Sequence, residues 1–213
     1  MEANFAVDSS GFSTRRTQHW LDTKCGKLRT QHGGSGVNQR EWLKVHLMCG
    51  CKTNIVTSVE VTHAHAADSP QFAPLVEKTR ENFVMDTVCA DKAYSSNKNL
   101  KLVLVKGAQP YIAFRSNAKI STDKRQSDLW RRMFHLYQYN REWFDKCYHQ
   151  RSNVEATFSM IKRKFGERLR SKTNTAQVNE VLCKILCHNL CVVVQSMYEL
   201  GIDVDFSTAT DRA

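Results

Sequence analysis

The chain has 213 residues, enough for one sizeable α/β domain and too few for two ordinary ones with a linker. Its 41% hydrophobic and 24% charged content is that of a globular protein; no uninterrupted apolar run approaches the roughly 20 residues of a bilayer span, and MEANFAVDSS lacks the basic and apolar regions of a secretory leader. Neither a membrane nor a secreted product is expected, and the expected location is cytoplasmic. The net charge is +10, and between Arg115 and Lys172 there are 15 Lys and Arg against 6 Asp and Glu. Such a basic stretch points to a polyanion partner bound in a salt-dependent way.

In chain order, Phe5-Ala6-Val7 reads as a short strand closed by Asp8, with Ser9-Ser10-Gly11 as a strand-to-turn transition. Residues 13–41 are polar and contain Gly33-Gly34-Ser35-Gly36, which predicts a long excursion carrying Arg15, Arg16, Lys24, Lys27, Arg29 and Arg40. Leu43, Val45 and Leu47 alternate with Lys44 and His46, which predicts a half-buried strand over 42–48, with 54–62 as its antiparallel partner. Cys49 and Cys51 flank Gly50 at the hairpin between them.

A helix is predicted over 70–83, with Asp68 or Ser69 as its cap and Pro70 in its first turn. A strand then runs from Met85 to Ala90 and is closed by Asp91. A helix near 96–106 and a strand over 110–114 follow. Residues 126–147 read as helical and rich in core aromatics, namely Trp130, Phe134, Tyr137, Trp143 and Phe144. A last long helix over about 175–200 is apolar on most faces, and should cover the sheet or meet a second subunit. Three successive strands followed by alternating helix and strand give a mixed five-stranded sheet with crossover helices.

The 8 cysteines suggest neither disulfides nor zinc. Cys183, Cys187 and Cys191 recur every four residues beside Leu190 and Val194, as small core residues of a helix do. Cys49-Gly50-Cys51, even with His63 and His65 following, lacks the second matched pair of a zinc site. His46, His63 and His65 are expected to be structural or exposed.

The most specific pattern lies in YHQRSNVEATFSMIK, where Tyr148, Arg151, Glu155 and Lys162 follow one another at intervals of three, four and seven residues. On one helix these four fall within roughly 60° of each other. Val154, Phe158, Ile161 and Phe165 form an apolar stripe beside them. The helix can therefore pack through one edge and present a carboxylate with its cations to a cleft.

This spacing resembles the tyrosine, arginine, glutamate, lysine signature of DDE-type insertion-sequence transposases of bacteria and archaea. The segment DKAYSSNKN after Asp91 and the stretch VTHAHAADSP are similar to the family as well, and the order of elements fits from residue 5 to about 172. The resemblance implies a ribonuclease H-like α/β fold, a mixed five-stranded sheet flanked by helices, in a single catalytic domain. It implies that Asp8, Asp91 and Glu155 are the catalytic, metal-binding carboxylates for two Mg²⁺ or Mn²⁺ ions. Asp8 and Asp91 would be neighbours in the sheet, with Glu155 closing the site from the helix above.

The basic residues Arg151, Lys162, Arg163 and Lys164, together with Tyr148, are the expected DNA contacts, although Arg151 and Lys162 have Glu155 as an alternative partner within the helix. The implied activity is cleavage at element ends and joining of a 3′ hydroxyl to target DNA, by an assembly of more than one copy on DNA. Relatives usually carry a further domain for end recognition, and Met1 lies only seven residues before Asp8, so specific end binding is expected to need a region this sequence does not carry. The alternative is a catalytically silent remnant, or a split-frame partner, that binds DNA through its basic face.

Overall fold

The computed structural model describes residues 2–14, 42–120 and 127–201. The predicted excursion over 13–41 and its six cations lie outside the described residues, apart from its first two positions.

Five strands form one sheet in the order β3-β2-β1-β4-β5. β1 (Asn4–Ser13), β2 (Trp42–Gly50) and β3 (Val56–His63) are an antiparallel meander. β4 (Thr87–Ala90) then returns to lie parallel to β1, and β5 (Gln109–Ile112) lies parallel to β4. This is the mixed sheet expected from the sequence. The crossovers are α1 (Phe72–Asn82), preceded by a 3₁₀ turn at Ser69–Gln71, and α2 (Asn97–Val105).

β1 departs from its sequence reading. Asp8 does not close the strand; it sits in mid-strand opposite Leu47, and the ladder continues through Ser13 and Trp42. Small polar residues after Asp8 suggest a turn locally, but every one of them has a strand partner on β2. Gly11 is part of this, because an added Cβ there would meet the Trp42 ring at 3.0 Å.

The pleat sorts the core into two layers. Phe5, Val7 and Met48 pack with Phe72, Leu75, Val76, Leu100 and Val103 of α1 and α2. On the other face Ala6, Phe12, Val45 and Leu47 pack with Val154, Phe158 and Ile161 of α5 (Ser152–Phe165) and with Val181 and Ile185 of α6 (Asn174–Leu200). Burying three apolar side chains of α5 contributes roughly 1.5–3 kcal/mol each, which fixes the helix over β1 and β2. A further stitch comes from the segment after α5, where Ser13 donates to the Glu167 carbonyl and Leu169 donates to that of Ser13.

The aromatic region is two helices rather than one, α3 (Asp128–Tyr139) and α4 (Arg141–Tyr148), broken at Asn140. The break lets α4 turn back over β4 and β5, so that Phe144 is fully buried against Tyr111, Tyr137 and Tyr148. Phe114 packs edge-on against Trp130 and Phe134, so most of these aromatics are core as expected; Trp143 remains exposed.

Asp68 precedes the first turn before α1 but its side chain makes no cap hydrogen bond. It pairs instead with Lys44, at 2.7 Å. Every cysteine among the described residues is a free thiol. Cys183 and Cys187, read as core, are exposed, and Leu190 and Val194 are half exposed. The reason is that α6 is buried along one edge, at Val181, Lys184, Ile185 and His188. By length and composition α6 is also long and apolar enough to cross a membrane, which the search for an unbroken apolar run does not register, because Lys184, His188 and Asn189 interrupt it.

Candidate active site

Parallel pairing of β1 with β4 sets the site. Val7 is opposite Ala90, so the next residue on each strand is an aspartate, and Asp8 and Asp91 emerge side by side at the same level of the sheet. Asp91 leaves its strand to start a 3₁₀ turn (Lys92–Tyr94), accepting from the Lys92 amide at 2.6 Å. Asp8 accepts from the Ser9 amide at 2.8 Å.

The four signature residues do not share one helix. Tyr148 ends α4, His149–Arg151 form a 3₁₀ turn, and Glu155 and Lys162 lie on α5. The backbone stays right-handed helical through the junction, so the four remain on one side. This junction packs on β1 and β4, directly above the two aspartates.

Arg151 joins the two halves. Its guanidinium donates to Asp8 at 3.2 Å and to Glu155 at 2.7 Å, and lies 5.7 Å from the Tyr148 ring centroid, a cation–π distance. Tyr148 in turn stacks on buried Phe144. Its phenol is pushed up to about 12, chiefly by burial, with the Asp91 charge adding to the shift. Tyr148 is therefore a neutral wall of the site.

Burial is also the largest influence on Asp8, whose carboxyl is raised above the usual value. Ser9 and Arg151 oppose the shift, while the charges of Asp91 and Glu155 add to it. Three carboxylates thus feel one another, and Arg151 is the cation that partly neutralises them. Lys162, two turns beyond Glu155, donates to Ser10 at 2.8 Å and sits over the Phe12 ring. Its pKa is lowered by burial. Its partner is on β1 rather than Glu155. Arg163 and Lys164 point elsewhere: with Met160, His188, Cys191 and Val192 they line a groove of about 350 Å³ between α5 and α6.

Behind the site lies a buried network that sequence reasoning did not find. His46 is fully buried, with Nδ1 3.3 Å from the Tyr94 hydroxyl and Nε2 3.0 Å from Thr62 Oγ1. Tyr94 also bonds the side chain of Ser9, next to Asp8. Asp68 stands 3.3 Å from His46 Nδ1. Alternation alone places His46 on a strand, but only the register with Ser9 puts it next to the site. His63 and His65 are exposed, as expected.

The donor set of Asp8, Asp91 and Glu155 is all oxygen, which suits Mg²⁺ or Mn²⁺ and not a thiol-seeking metal. Among the described residues no three His, Cys, Asp or Glu side chains converge closely enough to hold an ion as they stand, and the Arg151 guanidinium occupies the space between Asp8 and Glu155. The chemistry fits a divalent cation, provided Arg151 swings aside and the carboxylates close in.

The chain matches the model of the transposase DDE domain over residues 2–190. No curated protein matches it in sequence. Among solved structures it is similar to a piggyBac transposase, determined as a synaptic complex with hairpin DNA, at a TM-score of 0.53 and 11% identity over 95% of this chain and 49% of that one. The catalytic core domain of BIV integrase overlaps at a TM-score of 0.32 and 8% identity, over 81% of this chain and 88% of that one. The chain spans about half the length of the piggyBac chain, and at that identity the likeness concerns the fold.

Proposed function

This chain belongs to the transposase DDE domain family, and on that footing we propose that it cuts DNA at the ends of an insertion sequence and joins the freed 3′ hydroxyl to target DNA. The observation that carries the reading is the parallel register of β1 and β4, which sets Asp8 beside Asp91 under an arginine that also holds Glu155. Two Mg²⁺ or Mn²⁺ ions held by these three carboxylates would activate the attacking oxygen and offset charge on the phosphoryl and departing oxygens.

The chain's own residues then have separable tasks. Asp8, rooted in mid-strand, and Asp91, anchored by its own turn, are rigid donors. Glu155, with a side chain 53% exposed, is free to close. Arg151, released from Asp8, becomes available to a phosphate, for which its planar fork is suited. Lys162, partly desolvated, offers a second positive charge along the strand. Tyr148, kept neutral, offers Arg151 a ring face and borders the path of the DNA.

DNA is the partner in this reading, with both element ends and target engaged, and more than one copy assembled on it. The basic stretch from 115 to 172 supplies attraction that falls with salt. The test is manganese-dependent nicking and strand joining with pre-cut element-end oligonucleotides and supercoiled plasmid. Loss of activity in Asp91→Asn supports the reading. Equal, absent activity in both proteins, with salt-sensitive DNA binding retained, supports a silent DNA-binding remnant instead.

A further inference from the structure

The last register pair between β1 and β4 is Val7 with Ala90. Beyond it the two strands part: β1 runs on against β2 to Ser13, while the chain leaves β4 at Asp91 and turns. Asp8 and Asp91 therefore sit just past the end of the shared ladder, where backbone pairing no longer sets their separation. Tyr94 spans this gap. Its amide donates to the Asp91 carbonyl at 3.0 Å, and its side chain reaches back to β1, where the hydroxyl bonds the side chain of Ser9. Ser9 in turn donates its amide to the Asp8 carboxylate at 2.8 Å. We infer, on the reading of those aspartates as ion ligands, that Tyr94 is a positioning residue, fixing the distance between Asp8 and Asp91 without itself touching an ion or DNA.

The phenol is held at both ends. Its ring is 1% exposed and packs on Phe72, with centroids 5.7 Å apart, and its carbonyl accepts from the Asn99 side-chain amide at 2.8 Å. Asn99, also buried, bonds Ser69 in the turn before α1. At the other end the hydroxyl lies 3.3 Å from Nδ1 of fully buried His46, whose Nε2 is 3.0 Å from Thr62 Oγ1. Ser9, His46 and Thr62 belong to three adjacent strands, so the hydroxyl takes its position from the sheet.

A buried tyrosine needs a hydrogen-bond partner, and a backbone carbonyl would meet that need. Here the hydroxyl goes instead to Ser9 and His46, which pair across β1 and β2 in the position next to Asp8. Successive side chains of a strand point to opposite faces. Ser9 therefore acts on Asp8 through its backbone, by fixing the peptide whose N–H orients the carboxylate. Ligands of an ion site have to be held to within about 0.5 Å, and loss of an outer partner that orients them lowers metal affinity by roughly 10- to 100-fold.

The test reads the full chain in two ways. In ion-free protein, exchange of the Ser9 amide, measured by NMR relative to that of Phe5 in the same strand, should quicken roughly tenfold or more in Tyr94→Phe. In Mn²⁺ titrations followed by electron paramagnetic resonance, affinity should fall roughly tenfold. Ser9→Ala cuts the tie from its other end and should weaken Mn²⁺ binding to the same degree, and the double variant should lose no more than either single one. Ser58→Ala is the control for a merely structural hydroxyl. Ser58, in β3, is buried and donates to the Leu75 carbonyl at 2.8 Å; its loss should lower melting and leave both readouts unchanged. Unchanged Ser9 exchange in Tyr94→Phe, Mn²⁺ affinity held at the wild-type level, or fully additive losses would each overturn the proposal. A wild type that binds no Mn²⁺ would count against the proposed DNA chemistry, and the ion-free exchange would still decide the role of Tyr94.

Discussion

The guanidinium of Arg151 lies 3.2 Å from the carboxylate of Asp8, across 143 residues of sequence, and its other nitrogen holds Glu155 at 2.7 Å. Arg151 thus supplies positive charge to two of the three carboxylates, and a divalent ion bound there would have to compete with it. Arg151→Ala should therefore strengthen Mn²⁺ binding, by roughly tenfold if about 1.4 kcal/mol of competition is removed, while lowering stability by about 1 kcal/mol, since the pair is only partly buried. Titration followed by electron paramagnetic resonance of free Mn²⁺ measures the first effect. Unchanged or weaker binding would show that Arg151 does not compete with the ion.

Two buried histidines set a pH dependence. His46 and His188 are both lowered from the ordinary value of 6.5, chiefly by burial. A group with a depressed folded pKa binds its proton more readily when unfolded, so stability is lost as pH falls below the unfolded value. Melting temperature should be level from pH 8 to 7 and drop between about pH 6.5 and 5. Asp8, whose folded value is raised, acts in the opposite sense and at lower pH. His46→Gln should flatten the slope; a slope unchanged in that variant would remove His46 from the account.

How much of this was legible beforehand depends on whether a residue's neighbours are local. The strands and the mixed character of the sheet follow from alternation and element order, which the sequence displays directly, whereas the adjacency of Asp8 and Asp91 is implied by the family resemblance and the strand order emerges only from the pairing itself. The extension of β1 through Ser13 does not, because Ser9, Ser10 and Gly11 look like a turn until β2 supplies their partners. Likewise the interval of Tyr148, Arg151, Glu155 and Lys162 was readable, but the 3₁₀ turn at 149–151 was not. The exposure of α6 was misread for a related reason: periodicity identifies an apolar face but not whether the protein has a surface to put against it. Asp68 looked like a cap, and its tie to Lys44 and His46 depends on a strand more than 20 residues away.

The basic residues on α5 divide by direction. Lys162 faces β1 near Asp8, whereas Lys164 faces the groove under α6. Lys162→Gln should weaken binding of a DNA duplex and reduce the slope of log affinity against log salt by about one. Lys164→Gln should have a smaller effect in the same fluorescence-anisotropy titration. Equal losses in the two variants would mean that DNA wraps both sides of the helix.

The central claim is that Asp8, Asp91 and Glu155 act together in cutting and joining DNA. The measurement that bears on it most directly is manganese-dependent nicking and strand joining by the wild type and by Asp91→Asn, purified in parallel and matched for melting temperature. Among the described residues the Asp91 side chain accepts from the Lys92 amide of its own turn, so the variant should fold normally and lose activity by a factor on the order of 10³ or more. Retained activity in Asp91→Asn would contradict the assignment outright.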